Sequence, residues 1–469
     1  MKFTIENLGA LDYAELELAN LTIICGQNNT GKTYVTYLVF CLLSSWRQFI
    51  TVDLSQDLLS LKKNGLVKID LGERLEKNWP QLCISALERF LSAFPEMMAS
   101  RSELFAKLKM TAELPLGTAW KTRDYKRELR SAQGNLLVTM LKAANSCEIE
   151  LVALKSEEIG GQAIIALGHF IEDRLFDLIL EETIPAVFIA STERTGATTF
   201  RKQLNFAMSK FQELLIQAHK EGADSMTPDR VFETMYVRQD YALPVRRNVQ
   251  FVNQLPDPNS EDSELFKQYP DLLKKFEMIV GGSYNTNKEG ITVFQPHGTK
   301  LKLGLGEVSS SVRSLLIVWY WLKHVAKKGE MLVLDEPELN LHPANQRRLA
   351  RFIAALINHG VKVFLTTHSD YIIKELNTLI MLHHPSDKIP SIIQQLRDYD
   401  TDDKLDPASV ALYTAREENM LRPGGKRKIR TMTLVRADIN PTLGIEAPSF
   451  DETIDDMNAV QEAIYYGLH

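Results

Sequence analysis

The chain opens with apolar and polar positions in alternation, which then give way to an unbroken apolar run. "KFTIENLG" and "AELELANLTIICG" therefore predict two strands leading into a third, buried one. A helix is expected to follow from Lys32 to about Phe49. From roughly 55 to 130 the pattern is helical and charged, as in "LGERLEKNWPQLCISALERFLSAF". "CEIELVALK" and "GQAIIALG" read as a hairpin, "FIEDRLFDLILEE" as a helix and "IPAVFIAST" as a buried strand. A second helical stretch, roughly 200 to 280, contains "FAMSKFQELLIQAHKEG" and "SELFKQYPDLLKKFEMIVGG".

Beyond it, "GITVFQPHGTKLKLGLGE" predicts a hairpin around His297-Gly298, and "SSSVRSLLIVWYWLKHVAKK" a helix that starts on serines. A buried strand "EMLVLDEPE", a helix "PANQRRLARFIAALINHG" and a strand "KVFLTTHSD" with its own helix come next. That alternation is the signature of a parallel sheet covered by helices, so the expected fold class is α/β. The tail "RADINPTLGIEAPSFDETIDDMNAVQEAIYYGLH" predicts a strand pair and a helix capped near Ser449. No fixed-period repeat or low-complexity tract is present. The expected organisation is one core built from 1–50, 181–200 and 281–469, interrupted by mainly helical insertions at 51–180 and 201–280.

A chain of 469 residues is long enough to bury a large core. Its 45% hydrophobic and 24% charged content fits a soluble globular protein. The formal charge of −6 argues against wholesale nucleic-acid binding while leaving room for a local basic groove. Cys25, Cys41, Cys83 and Cys147 lack C-x-x-C spacing, which predicts reduced thiols. "MKFTIENLGALDYAELEL" carries acids where a signal peptide needs an apolar stretch, and "YVTYLVFCLLSSW" is too short to span a bilayer. The expected location is the cytoplasm, away from membranes.

The chemistry concentrates in three places. Gly26 to Thr33, "GQNNTGKT", fit the phosphate-loop pattern G-x-x-x-x-G-K-[ST] between a predicted strand and a predicted helix. Gly26 and Gly31 permit the tight turn, Lys32 would reach the β- and γ-phosphates of ATP, and Thr33 would offer its hydroxyl to Mg2+. A helix N-terminus behind the loop favours anions. In "MLVLDEPELNLHP", Asp335 ends an apolar strand where an acid can hold Mg2+ through water, and Glu336 can orient or deprotonate the attacking water. The competing reading makes both acids caps of the next helix. His368, in "VFLTTHSDYI", stands at the same end of a neighbouring predicted strand, within reach of a γ-phosphate.

Together "GQNNTGKT", "LVLDEPELNLHP" and "VFLTTHSDYI" resemble the ABC-type ATPase heads of the SMC and overcoming-lysogenization-defect (OLD) class. Within it, "IASTERTG" and "SSSVRSL" resemble the AAA_15/AAA_21 ATPases of bacterial anti-phage operons, such as PtuA of Septu and AriA of PARIS. The resemblance implies an ABC-ATPase head with an N-terminal antiparallel subdomain. It implies that Gly26, Asn28, Asn29, Thr30, Gly31, Lys32 and Thr33 bind the phosphates. Thr33 and Asp335 would serve the metal, Glu336 the water and His368 the γ-phosphate. Ser309, Ser310 and Ser311 would stand at the signature loop, facing the nucleotide of a second copy. They fit equally well as plain N-caps, and "LGEVSSSVRS" lacks the paired glycine of the usual signature. No clear Q-loop glutamine follows "IPAVFIAST": Glu193 and Arg194 occupy that region, and Gln203 is a weaker candidate.

A nuclease centre of the kind some OLD proteins carry would need acids fixed on strands. Asp398 and Asp400 in "RDYDTDDKLD" have D-x-D spacing but read as a solvated loop. Basic clusters lie at 121–130, Arg246-Arg247 and 426–430, the last being the best candidate for a nucleic-acid backbone. The resemblance implies an ATPase that senses infection or scaffolds a defence system, and the lack of strand-borne acids outside the ATP motifs predicts no nuclease activity of its own. Its implied partners are itself, in a head-to-tail dimer or higher oligomer, a co-encoded effector expected to be a nuclease, and a nucleic acid or phage protein as trigger. The alternatives are an SMC-like DNA-repair or chromosome-maintenance ATPase and a transporter ATPase subunit. The lack of a long heptad run weighs against the first.

Overall fold

The computed structural model describes residues 1–130, 136–153, 161–180, 183–200, 241–255, 260–286, 291–396, 398–422, 427–440 and 444–446, with a few isolated positions besides. The chain forms two compact units. One comprises Met1–Thr4, Leu42–Phe94 and Met110–Ala186, the other Ile5–Cys41, Pro95–Lys109 and Val187–His469.

The second unit is built on a six-stranded sheet. Strand β1 (Lys2–Leu8) turns at Gly9, whose φ of 58° suits a tight connection, into β2 (Leu11–Glu17). β3 (Leu21–Gly26), buried as far as Cys25, then leads into helix α1 (Lys32–Phe49), as the periodicity predicts. Later segments supply β4 (Val187–Ala190), α2 (Arg194–Thr199), α3 (Ser310–His324), β5 (Met331–Asp335) and α4 (Pro343–Asn358). They are followed by β6 (Lys362–Thr367), α5 (Asp370–Met381), β7 (Val410–Met420) and β8 (Ile429–Arg436). The sheet order is β8-β7-β3-β6-β5-β4, with only β8 antiparallel to its neighbour. This is the expected α/β architecture.

Register explains why chemistry gathers at one edge. Asp335 pairs with Thr366, Thr367 with Cys25, Leu334 with Ala190 and Ala415 with Gly26. The parallel strands β3, β4, β5 and β6 thus deliver their C-terminal residues to the same side, where open α/β sheets place ligands, while β7 runs on past it. β5 and β6 are apolar almost throughout: Leu332, Val333, Leu334, Val363, Phe364 and Leu365 are all buried. The strands β7 and β8 are absent from the expectations above. Polar residues dominate their outer halves, where Arg416 pairs with Glu418 and Arg430 with Glu417, and the alternation there gives little burial signal.

The hairpin around His297-Gly298 forms, with Thr292–Pro296 antiparallel to Leu303–Gly304 and Gly298 at φ 72°. It extends into a third strand at Gly282–Thr286. Helices at Leu243–Asn253, Glu264–Gln268 and Asp271–Val280 occupy the described part of the second helical stretch. "FAMSKFQELLIQAHKEG" and Gln203 lie outside the described residues, as does the helix expected near Ser449. The strand pair before that helix forms, at Asp438–Asn440 and Gly444–Glu446.

The first unit departs more from expectation. It holds a helix at Ser55–Asn64 and most of one at Trp79–Met97, yet also a four-stranded antiparallel sheet in the order Leu66–Asp70, Glu148–Ala153, Leu136–Lys142, Tyr125–Arg130. "CEIELVALK" does form a strand, but "GQAIIALG" does not pair with it. It begins a helix, Gly161–Leu180, that continues through "FIEDRLFDLIL". Leu167, Ile171, Leu175 and Ile179 are all buried, and this spacing of four overrides the short apolar run that read as a strand. No described helix is long and apolar enough to cross a membrane.

Candidate active site

The phosphate loop sits between β3 and α1, and its backbone needs its glycines. Gly26 has φ 133° and Gly31 φ 91°, while Asn29 adopts φ 62°, a left-handed value that asparagine tolerates. A Cβ on Gly26 would stand 2.6 Å from the Ala415 carbonyl oxygen of β7, so no side chain fits there. Thr30 closes the turn by donating to the Gln27 carbonyl at 2.9 Å. Lys32 is buried at the start of α1 and donates to the carbonyls of Gly26 (3.1 Å) and Gln27 (2.6 Å). Burial lowers the pKa of its ammonium, and the fields of Glu336 and Asp335 act against that. Asn28 is exposed beside Asn29, and Thr33 is half-buried in the first turn of α1.

Asp335 is fully buried at the tip of β5. Its Oδ1 accepts from the Thr366 hydroxyl of β6, whereas Oδ2 has no hydrogen-bond partner. Burial pushes the carboxyl up to about 7. An unpartnered, buried carboxylate oxygen beside a phosphate loop fits a metal-bound ligand set, so the donors present suit Mg2+. Glu336 follows at φ 48°, with its N–H donating to both the carbonyl and the hydroxyl of Thr366 at 3.1 Å. His368 Nε2 donates to Glu336 Oε1 at 2.9 Å, and this bond holds the Glu336 carboxyl below the usual range. The competing reading of the acids as helix caps fails. α4 begins at Pro343 and is capped by His342, whose ring accepts from the Ala344 N–H.

Sequence reasoning missed Glu338. Its Oε1 accepts from the Thr367 hydroxyl (2.8 Å) and from the His368 N–H (2.6 Å), and Ser369 then caps α5. Glu338 therefore fixes the backbone that carries His368. Its place three residues after Asp335, in "DEPE", was the available signal. Glu193 and Arg194 do not pair with each other. Glu193 accepts from the Tyr37 hydroxyl of α1 at 2.9 Å, while Arg194 points inward to backbone carbonyls.

Ser309 caps α3, accepting weakly from the Val312 N–H at 3.4 Å, and its hydroxyl lies 2.8 Å from that of Ser311. Ser310 accepts from Arg313 at 3.3 Å. Among the described residues no hydrogen bond joins these serines to the phosphate loop or to the acid pair. Asp398 and Asp400 are exposed, and Asp400 caps a single helical turn with Asp403. Asp403 itself is buried against Lys275 at 2.6 Å, so the loop is solvated only in part. Among the described residues no group of three or more His, Cys, Asp and Glu is placed to hold a metal. In the basic cluster at 426–430, Arg430 is paired with Glu417.

A parallel sheet with a phosphate loop on one strand, and an acid pair and a histidine on its neighbours, has the form of a nucleoside-triphosphatase domain. Residues 1–373 match the family model AAA_15, described as an AAA ATPase domain, and the chain belongs to that family. Solved structures similar to it include the Smc head bound to the C-winged helix domain of ScpA, at 12% identity and a TM-score of 0.31, covering 92% of this chain and 97% of that one. An Smc head domain with an extended coiled coil, bound to the C-terminal domain of ScpA and derived from Pyrococcus furiosus, is 11% identical with a TM-score of 0.30, covering 98% of each chain. The SMC head domain from Thermotoga maritima is 10% identical with a TM-score of 0.30, covering 93% of this chain and 98% of that one. No curated protein matches the sequence.

Proposed function

We propose that this AAA-type ATPase binds and hydrolyses ATP where β3, β5 and β6 end, and that turnover makes it the sensor and scaffold of a bacterial anti-phage defence system controlling a separate nuclease. The observation that carries the chemistry is the register that sets Lys32, Asp335, Glu336 and His368 at one sheet edge. Lys32 would transfer its bonds from the Gly26 and Gln27 carbonyls to β- and γ-phosphate oxygens. Thr33 and Asp335 Oδ2 would hold Mg2+, which supplies charge neutralisation of the phosphates when bound. Glu336 would accept a proton from water as the water oxygen bonds to the γ-phosphorus. The bond from that phosphorus to the β–γ bridging oxygen breaks, and ADP leaves with the electron pair. His368 would turn from Glu336 to the γ-phosphate, freeing the carboxylate to act. Ser309 to Ser311 would address the nucleotide of a second copy in a head-to-tail dimer or higher oligomer.

The defence role rests on the resemblance of "IASTERTG" and "SSSVRSL" to anti-phage ATPases, and family membership supports the ATPase beneath it. A nucleic acid or phage protein would be the trigger, in the cytoplasm. Glu336→Gln keeps shape but removes the base, so ATP should bind, persist and prolong an ATP-bound oligomer in size-exclusion chromatography. Wild-type turnover by that variant would remove Glu336 from its role. Pull-down from the native host should recover a co-encoded nuclease; recovery of repair or chromosome proteins instead would favour the SMC-like reading.

A further inference from the structure

Arg194 is 1% exposed, and its guanidinium serves four backbone carbonyls. Nη1 donates to Ser191 and to Asp335, both at 2.8 Å, Nη2 to Glu336 at 2.9 Å, and Nε to Ser314 at 3.1 Å. These carbonyls belong to the end of β4, the end of β5 and the second turn of α3. A buried guanidinium is expensive, since removing a full charge from water costs several kcal/mol. No carboxylate oxygen comes within ion-pair distance of it among the described residues. An apolar side chain would fill the space at lower cost, but it would leave the carbonyls bare. Only a rigid planar fork with five donors meets so many acceptors from one position.

Two of those acceptors flank the backbone strain in the site. Glu336 sits at φ 48°, a region that costs a non-glycine residue about 1–3 kcal/mol and persists only where its surroundings hold it. Thr366 pins the peptide before Glu336 through its N–H, and Arg194 pins the peptide after it through its carbonyl. We infer that Arg194 is a positioning residue that holds Glu336 in its left-handed conformation, aiming its carboxylate, and ties that backbone to α3, the helix that begins at Ser310. This rests on the reading of Glu336 as the base. Because one plane bonds Glu336 and Ser314, a displacement of α3 reaches the Glu336 backbone without an intervening side-chain rotation.

The test is steady-state ATP hydrolysis, fluorescent-nucleotide binding and thermal melting of full-length Arg194→Lys, with Tyr284→Phe and Glu336→Gln beside it. Tyr284 donates its hydroxyl to the Val312 carbonyl on α3 but touches neither acid. Arg194→Lys should lower kcat tenfold or more while nucleotide affinity and KM change less than threefold, because the phosphate loop is untouched. Tyr284→Phe should lower the melting temperature and keep kcat within twofold. If lysine prevents folding, Arg194→Gln, which keeps two donors without charge, should give the same split. Wild-type kcat in a folded Arg194 variant, or equal kcat losses in it and Tyr284→Phe, would overturn the inference. An inactive Glu336→Gln beside a fully active Arg194→Lys would sink this inference alone. An active Glu336→Gln would sink the reading of the site beneath it.

Discussion

Replacing Asp335 by asparagine should stabilise the protein while abolishing hydrolysis. The carboxylate is fully buried, one of its oxygens has no partner, and burial raises it from its ordinary 3.8 to about 7. Each factor of ten in proton affinity corresponds to about 1.4 kcal/mol, so holding the charge at pH 8 without metal costs roughly 4 kcal/mol. Asparagine can keep the acceptor for Thr366 but leaves an amide N–H unpaired, which returns about 1–2 kcal/mol of that gain. The net expectation is a variant more stable by about 2–3 kcal/mol at pH 8 in chelator, read as a melting temperature higher by a few degrees. The sign with pH follows from a raised carboxyl. The penalty is absent below the unfolded pKa of 3.8, grows as pH rises towards about 7 and is complete above it. The variant's advantage should therefore shrink as pH falls, vanish near about pH 5 and turn into a deficit of about 1–2 kcal/mol near pH 4, where only the unpaired amide remains. Mg2+ with ATP should reverse the order, because only the wild type gains binding energy from the metal. Equal melting temperatures at pH 8 in chelator, or an advantage that does not shrink towards pH 4, would refute the reasoning.

Lys32→Ala should remove nucleotide binding, measured by fluorescent-nucleotide titration, since Lys32 is the one basic residue within the loop Gly26–Thr33; unchanged hydrolysis would move the site elsewhere. Mixing Lys32→Ala with Ser310→Arg chains should restore one intact composite site if Ser309 to Ser311 meet ATP across a dimer, and no recovery in demonstrated mixed dimers would leave Ser309 as a helix cap. Deleting part of the 51–180 insertion should lose the effector in pull-down while ATP hydrolysis survives. The highly purified chain should not cleave DNA or RNA, and metal-dependent cleavage abolished by Asp398→Ala or Asp400→Ala would contradict this.

The sequence made the core legible because its signals are local. Three apolar strands each lead directly into residues with distinctive chemistry, and periodicity places α1 at Lys32–Phe49. The bonds of Arg194 and Glu338 were not legible, because both reach backbone groups far along the chain; the place of Glu338 in "DEPE" was a signal for the residue but not for its partner. Arg194 reaches Ser314 and Asp335, while Glu338 reaches the His368 N–H. The first unit misled for a different reason. Its strands are short and partly exposed, as at Leu66–Asp70, so the alternation of one face carries little weight beside the charged helices around it.

The family match ends at residue 373, yet β7, at Val410–Met420, lies directly against β3 and sets its Ala415 carbonyl where a side chain on Gly26 would fall. The strand that launches the phosphate loop is therefore completed by a strand made much later in synthesis. During synthesis Gly26 leaves the ribosome early, but one side of β3 stays open until residues 410–415 emerge. At about 5–20 residues per second that interval lasts on the order of twenty seconds or more. Throughout it, β3 presents an unpaired, apolar edge of the kind that recruits foreign strands. Competence to hold a nucleotide would arrive late and all at once. A nascent chain stalled before residue 410 should be protease-sensitive around the loop, and one stalled well beyond residue 436 should not.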